Sequence, residues 1–175
     1  MKTTVIGLFN NTKQVSASIH QLESMGLNAQ QMSLITADNI DKDSFEITTN
    51  TKLPEAVGTG AAAGGALGLI VGGLAAVGSV ATGGVGLLAS GPIVAALTGG
   101  AFGAGGGGML GAVLGTVMPD SEQQKIIDEL EKNGALLCVE CTEQEVSKVS
   151  HLLKTQNATK VETVNHAELE KIKGH

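Results

Sequence analysis

From Ala56 to Pro119 the chain carries no Asp, Glu, Lys, Arg or His, a run of 64 residues. The charged side chains, 11 lysines and 17 acids, all fall at 1–55 and 120–175. About 20 apolar residues suffice to cross the hydrocarbon core of a bilayer, so this run is long enough for two spans and a turn. Charge thus divides the chain into a polar half at 1–53, an insert at 54–118 that is uncharged from Ala56 on, and a second polar half at 119–175.

Inside the insert two glycine series keep a four-residue spacing. Gly60, Gly64, Gly68 and Gly72 form the first, and Gly99, Gly103, Gly107, Gly111 and Gly115 the second. A glycine costs about 1 kcal/mol against alanine in a helix interior, so nine in register need an offsetting gain. Close backbone approach between helices supplies it, because small residues four apart make a ridge on which a neighbouring helix packs. The pattern predicts helices near 55–77 and 92–117, roughly 33–39 Å long, with Pro92 at a helix start and glycines of 78–91 in the turn. On this reading the nine glycines are the helix-packing and oligomerisation residues, and Leu67, Ile70, Val71 and Leu74 face lipid or another subunit. A flexible Gly/Ala linker would not be expected to keep the register twice or to exclude charge throughout.

The polar halves read differently. Thr3–Phe9 is a β-rich run; Asn11 and Gln14 make a capping box for a helix carrying Val15, Ile19 and Leu22, with Gly26 at its C′ position. Met32–Thr36 reads as a second strand, with a further short strand expected at Phe45–Thr48. After the insert come a helix over 120–133 ended by Gly134, a strand from Ala135 to Cys141 and a capping box of Thr142 and Glu145. A helix with Val146, Val149, Leu152 and Leu153 on one side follows, then a last strand from Thr159 to Val164. Val15–Leu22 echoes Val146–Leu153, matching at Val, Ser, His and Leu. Two strand–helix–strand units of this kind interlock as a ferredoxin-like βαββαβ sandwich. The expected fold class is α+β: an antiparallel ferredoxin-like domain, helices on one face, interrupted by a Gly/Ala-rich transmembrane helical hairpin.

Several chemistries are excluded. The chain has no Arg, Trp or Tyr and a formal charge of −6, which argues against nucleic acid as a partner. Two cysteines are too few for a disulfide scaffold. Cys138-Val139-Glu140-Cys141 has C-x-x-C spacing, but on a predicted strand positions i and i+3 point to opposite faces, and no second pair completes a zinc site. His20 and His151 occupy matching helical positions beside the apolar stripes and read as boundary residues. Gly103–Gly108 fits a dinucleotide fingerprint by spacing alone, with no strand before it. The insert lacks the ionisable groups of a proton or ion pathway. No catalytic residue, metal or cofactor is expected, and Met1-Lys2-Thr3-Thr4-Val5, with a single lysine and no long apolar region before a small-residue cleavage site, is not expected to open a signal peptide.

Val5-Ile6-Gly7-Leu8-Phe9, the helix ending Met25-Gly26-Leu27, the glycine-patterned insert, Lys132–Val139 and the closing Gln156-Asn157-Ala158 before Lys160-Val161 carry a likeness over nearly the full length. With these features the chain resembles the bacterial general-stress-protein and low-temperature-induced membrane protein families. The resemblance implies a ferredoxin-like domain around a membrane hairpin, with no catalytic residues to carry over. The expected function is a non-enzymatic, oligomeric, membrane-embedded stress or scaffold protein. The alternative is an oligomeric chamber or pore binding or transporting a lipid or quinone. The expected partners are the lipid bilayer and further copies of the chain, and the expected place is the bacterial inner membrane. Because every lysine lies in the flanks, the polar domain should sit on the cytoplasmic side.

Overall fold

The computed structural model describes residues 2–37, 39–45, 65–76, 87–92, 125, 128–130, 132 and 134–165. The first flank supplies β1 (Lys2–Phe9), α1 (Thr12–Ser24) and β2 (Met32–Ala37), with 3-10 turns at Ala29–Gln31 and Lys42–Phe45. The insert supplies α2 (Gly65–Gly72), β3 (Ala75–Ala76) and β4 (Leu87–Ser90); the second flank supplies β5 (Ala135–Thr142), α3 (Glu143–Thr155) and β6 (Lys160–Asn165). Among the described residues these strands form one sheet in the order β3-β4-β2-β5-β1-β6. Every pairing in it is antiparallel, as expected.

The membrane hairpin does not hold. No helix of the described residues is long and apolar enough to cross a membrane. Of the segment expected to run as one helix over 55–77, the described residues 65–76 are helical over the eight residues Gly65–Gly72, about 12 Å at 1.5 Å per residue. It stops at a turn whose Gly73 amide donates to Leu69 O at 3.0 Å, and Ala75–Ala76 then pair with Leu88 and Ala89. Leu87–Ser90, expected in a loop, are strand and pair with Leu34–Ala37 of β2. The expected ferredoxin-like sheet, confined to the flanks and interrupted by a spanning hairpin, is therefore replaced by a sheet that the insert extends. The physical reason is the open edge of β2. Its unpaired amides and carbonyls need partners, and the apolar insert satisfies them while burying its side chains in the domain. The remainder of 55–64, residues 93–117 of the second expected helix, and 46–48 of the expected short strand lie outside the described residues.

Both faces of the sheet are buried, where only one was expected to be covered. In register, Val5, Val139 and Met32 stand side by side, as do Gly7, Leu137 and Leu34. These residues face α1, α2 and α3, whose buried Val15, Ile19, Leu22, Leu67, Ile70, Val71, Val149 and Leu153 complete one hydrophobic core. The alternate residues Ile6, Leu8, Ile35, Leu136 and Cys138 are no more than 3% exposed. The unbroken run Ala135-Leu136-Leu137-Cys138-Val139 is the sequence signature of a strand buried on both sides. Gly7 belongs to this packing: a β-carbon there would lie 3.0 Å from Leu153 Cδ1, so its absence lets α3 settle on β1.

Local signals hold at most helix ends. Asn11 caps α1 by accepting from the Lys13 amide at 2.9 Å, although the reciprocal bond from Gln14 does not form and Gln14 Oε1 is buried without a partner. Gly26 ends α1 with φ of +94°. At α3 the Glu145 carboxylate accepts from the Thr142 amide at 2.9 Å and its hydroxyl at 2.7 Å.

Candidate functional site: the seat of the insert on the flank domain

The residues with the most specific geometry lie where the insert meets the flank. Helix α2 presents Ala66, Leu67, Gly68, Ile70 and Val71 inward and packs against α1, β2 and both 3-10 turns. Its first turn is capped from outside. Glu23 Oε1, on the last turn of α1, accepts from the Ala66 amide at 3.1 Å. A carboxylate at the C-terminal end of a helix opposes that helix's own dipole, whereas at the N-terminal end of another it is favourable. Glu23 is therefore misplaced for α1 and well placed for α2. Gly65 makes the contact sterically accessible: it holds φ of +57°, and a β-carbon on it would lie 2.6 Å from Glu23 Oε1. His20 Nδ1 stands 3.9 Å from Glu23 Oε2, both side chains more than 40% exposed, a pair that adds little at the surface.

Two further residues fix the seat. The buried Ser90 hydroxyl, at the end of β4, donates to Ile70 O in α2 at 2.5 Å. Gly91 then turns the chain with φ of +109° directly over β2; a β-carbon there would lie 2.4 Å from Met32 O and 2.6 Å from Ser33 Cα. The first flank is braced in the same region. The Thr12 hydroxyl donates to Ser44 O at 2.9 Å, and that of Ser16 is shared between the carbonyls of Thr12, at 3.1 Å, and Phe45. These bonds hold the Lys42–Phe45 turn, with its fully buried Phe45, against α1.

Of the glycines expected to pack helices, the described residues include two. Gly68 is buried in the seat, while Gly72 is exposed and a β-carbon on it would meet nothing within 4 Å. Gly60, Gly64, Gly99, Gly103, Gly107, Gly111 and Gly115 lie outside the described residues. Leu67, Ile70, Val71 and Leu74, expected to face lipid or another subunit, are buried in the domain's own core. Leu69 at 49% and Met25 at 42% are the large apolar side chains left exposed among the described residues. Glu23, Ser90 and Gly91 were not singled out in the sequence; an acid closing a helix with no basic residue in its last turn is the only signal that would have pointed to one of them.

The C-x-x-C pair has no redox geometry. Cys141 lies in the core under the helices, and Cys138, an odd number of residues away on the same strand, points to the other face. Burial pushes the Cys138 thiol up to about 12. Burial, then the Glu145 and Glu140 carboxylates, push Cys141 up to about 11. Nucleophilic cysteines have their thiolate stabilised; these two are held as thiols. No group of three or more His, Cys, Asp or Glu among the described residues is placed to hold a metal.

No match was found among curated proteins or among solved structures. Residues 4–84 match the family model of the heat-induced stress protein YflT domain. The matched span begins in β1 and runs through α1, β2, α2 and β3, so it takes in both the first flank and the helix seated on it.

Proposed function

We propose that the chain is a non-enzymatic stress-response protein that works by assembling with copies of itself, the insert supplying the contact. The observation that carries this reading is the outer side of α2. Leu69 is half exposed, and one turn on, Gly72 opens onto free space. A bulky apolar knob beside a small-residue hollow on one helix is the pairing by which helices approach closely. The stress role is supported by the family match over residues 4–84. The absence of enzymatic activity is supported by the two thiols, buried on opposite faces and held in the neutral form. The uncharged run from Ala56 to Pro119 supports a membrane-associated assembly.

Native mass measurement tests the assembly. Gly72→Leu fills the hollow, its β-carbon meeting nothing within 4 Å, and Leu69→Lys removes the knob. Both are expected to leave the circular dichroism spectrum unchanged and to lower the assembly mass. A mass identical to wild type in both variants refutes assembly through this helix. Alkaline carbonate washing of the cell membrane fraction tests the location; complete release into the supernatant removes the membrane from the reading.

A further inference from the structure

We infer that α2 is a releasable cover: the segment Gly65–Leu74 opens from the flank core as a local unit, before the sheet unfolds, and Glu23 is the catch that holds it. Three observations converge. First, α2 has little stability of its own. It is eight residues long and contains Gly65, Gly68 and Gly72, while isolated helices below about 12–15 residues are marginal even when rich in alanine. Gly68 and Gly72 each further weaken the helix about fivefold against alanine. Second, its attachment is concentrated. Leu67, Ile70, Val71 and Leu74 are at most 6% exposed, and Ile70 O accepts from the Ser90 hydroxyl; among the described residues the amino end is tied by the Glu23–Ala66 bond, and the side chain making that bond is 41% exposed. Third, the part of the sheet away from it is held without it. β5 is hydrogen-bonded on both sides, to β1 and to β2, and α3 packs on β1 and β5 from the other end of the sequence.

A protein opens first where a segment has little stability of its own and few ties to its neighbours, and such openings become more populated on heating. When α2 lifts, its four apolar side chains and the part of the core they cover are exposed together, while the β5–β1–β6 half of the sheet stays intact. The device thus converts a rise in temperature into a new apolar surface on a folded protein. It stands independently of whether the chain self-assembles, since opening is a property of one chain and is measurable at concentrations where assembly is absent.

The test is hydrogen exchange of the full chain, read by mass spectrometry on peptides covering α2 and β5 as temperature rises, with 1-anilinonaphthalene-8-sulfonate as probe for the uncovered surface. In wild type the α2 amides are expected to exchange before those of β5, and probe fluorescence to rise before β-sheet circular dichroism is lost. Glu23→Ala should speed α2 exchange roughly fivefold, the equivalent of a lost cap, with β5 unchanged. Gly72→Ala, whose added methyl meets nothing within 4 Å, should slow it roughly two- to fivefold through helix propensity, again with β5 unchanged. The inference is overturned if α2 and β5 exchange together in wild type. It is equally overturned if either variant shifts both segments alike or leaves α2 exchange where it was.

Discussion

Gly91→Ala separates a seated insert from a free one. In the structure Gly91 holds φ of +109°, a conformation that costs an alanine roughly 1–3 kcal/mol. The new methyl carbon would lie 2.4 Å from Met32 O, 2.4 Å from Ser33 Oγ and 2.6 Å from Ser33 Cα. Ser33 Oγ is able to rotate away, but the other two atoms are the backbone of β2 and cannot. Relief requires β4 to lift, loosening a ladder that pairs Leu34 with Ser90 through to Ala37 with Leu87. One or two lost hydrogen bonds at about 1 kcal/mol each bring the total to about 2–5 kcal/mol, a large share of a typical domain stability of about 5–15 kcal/mol. With a urea m-value near 2 kcal/mol/M, the midpoint should fall by about 1–2.5 M. Gly72→Ala is the matched control: the same substitution into open space, expected to be neutral or mildly stabilising. Equilibrium urea unfolding followed by circular dichroism reads both. If Gly91→Ala lies within about 1 kcal/mol of wild type, β4 is not seated on β2 and the extended sheet is wrong.

Further outcomes follow from the same geometry. Neither Cys138 nor Cys141 should react with Ellman's reagent in the folded protein, and both should react once it is unfolded in guanidinium; rapid native labelling of either contradicts its burial. Because the folded Cys138 thiol is pushed up to about 12 from an ordinary value of 9.0, the unfolded chain loses that proton first as pH rises. Stability should therefore decline between about pH 9 and 12, and Cys138→Ala should flatten the decline. Glu145 is held below its ordinary value of 4.5 by the Thr142 amide and then its hydroxyl. Its contribution is present above that value and lost as pH falls through the lowered one, so Glu145→Gln should reduce the acid sensitivity of thermal unfolding. Gly7→Val would press on Leu153 Cδ1 and Phe9 Cε2, at 3.0 and 3.2 Å from the position of a β-carbon. It should destabilise by about 1–3 kcal/mol as an overpacked core does; a neutral result would mean that α3 does not sit on β1.

Local elements were legible wherever their cause is local. The β-branched run of β1, the Asn11 cap, Gly26 after α1, the Thr142–Glu145 pair and the period of α3 depend on neighbours within a few residues, and sequence spacing encodes those directly. The opposite orientation of the two cysteines followed from the period of a strand alone. The second buried face was readable in principle from Ala135–Val139, a run without alternation, but an unbroken apolar stretch does not say what lies on either side of it.

The insert shows where that logic stops. Its composition pointed to a segment that leaves water, a run of 64 residues without charge. It also determined that glycines would permit close approach somewhere along it. Hydropathy measures only the free energy of leaving water and is the same whether the destination is lipid or a protein core. The choice was made by the edge of β2, whose backbone groups lie 50 to 56 residues from the partners that satisfy them. It was also made by Glu23, whose value as a cap exists only once α1 ends beside Ala66. Both are relations between segments distant in the chain, so only the tertiary structure decided that Leu67, Ile70 and Val71 pack inward and that α2 ends after eight residues.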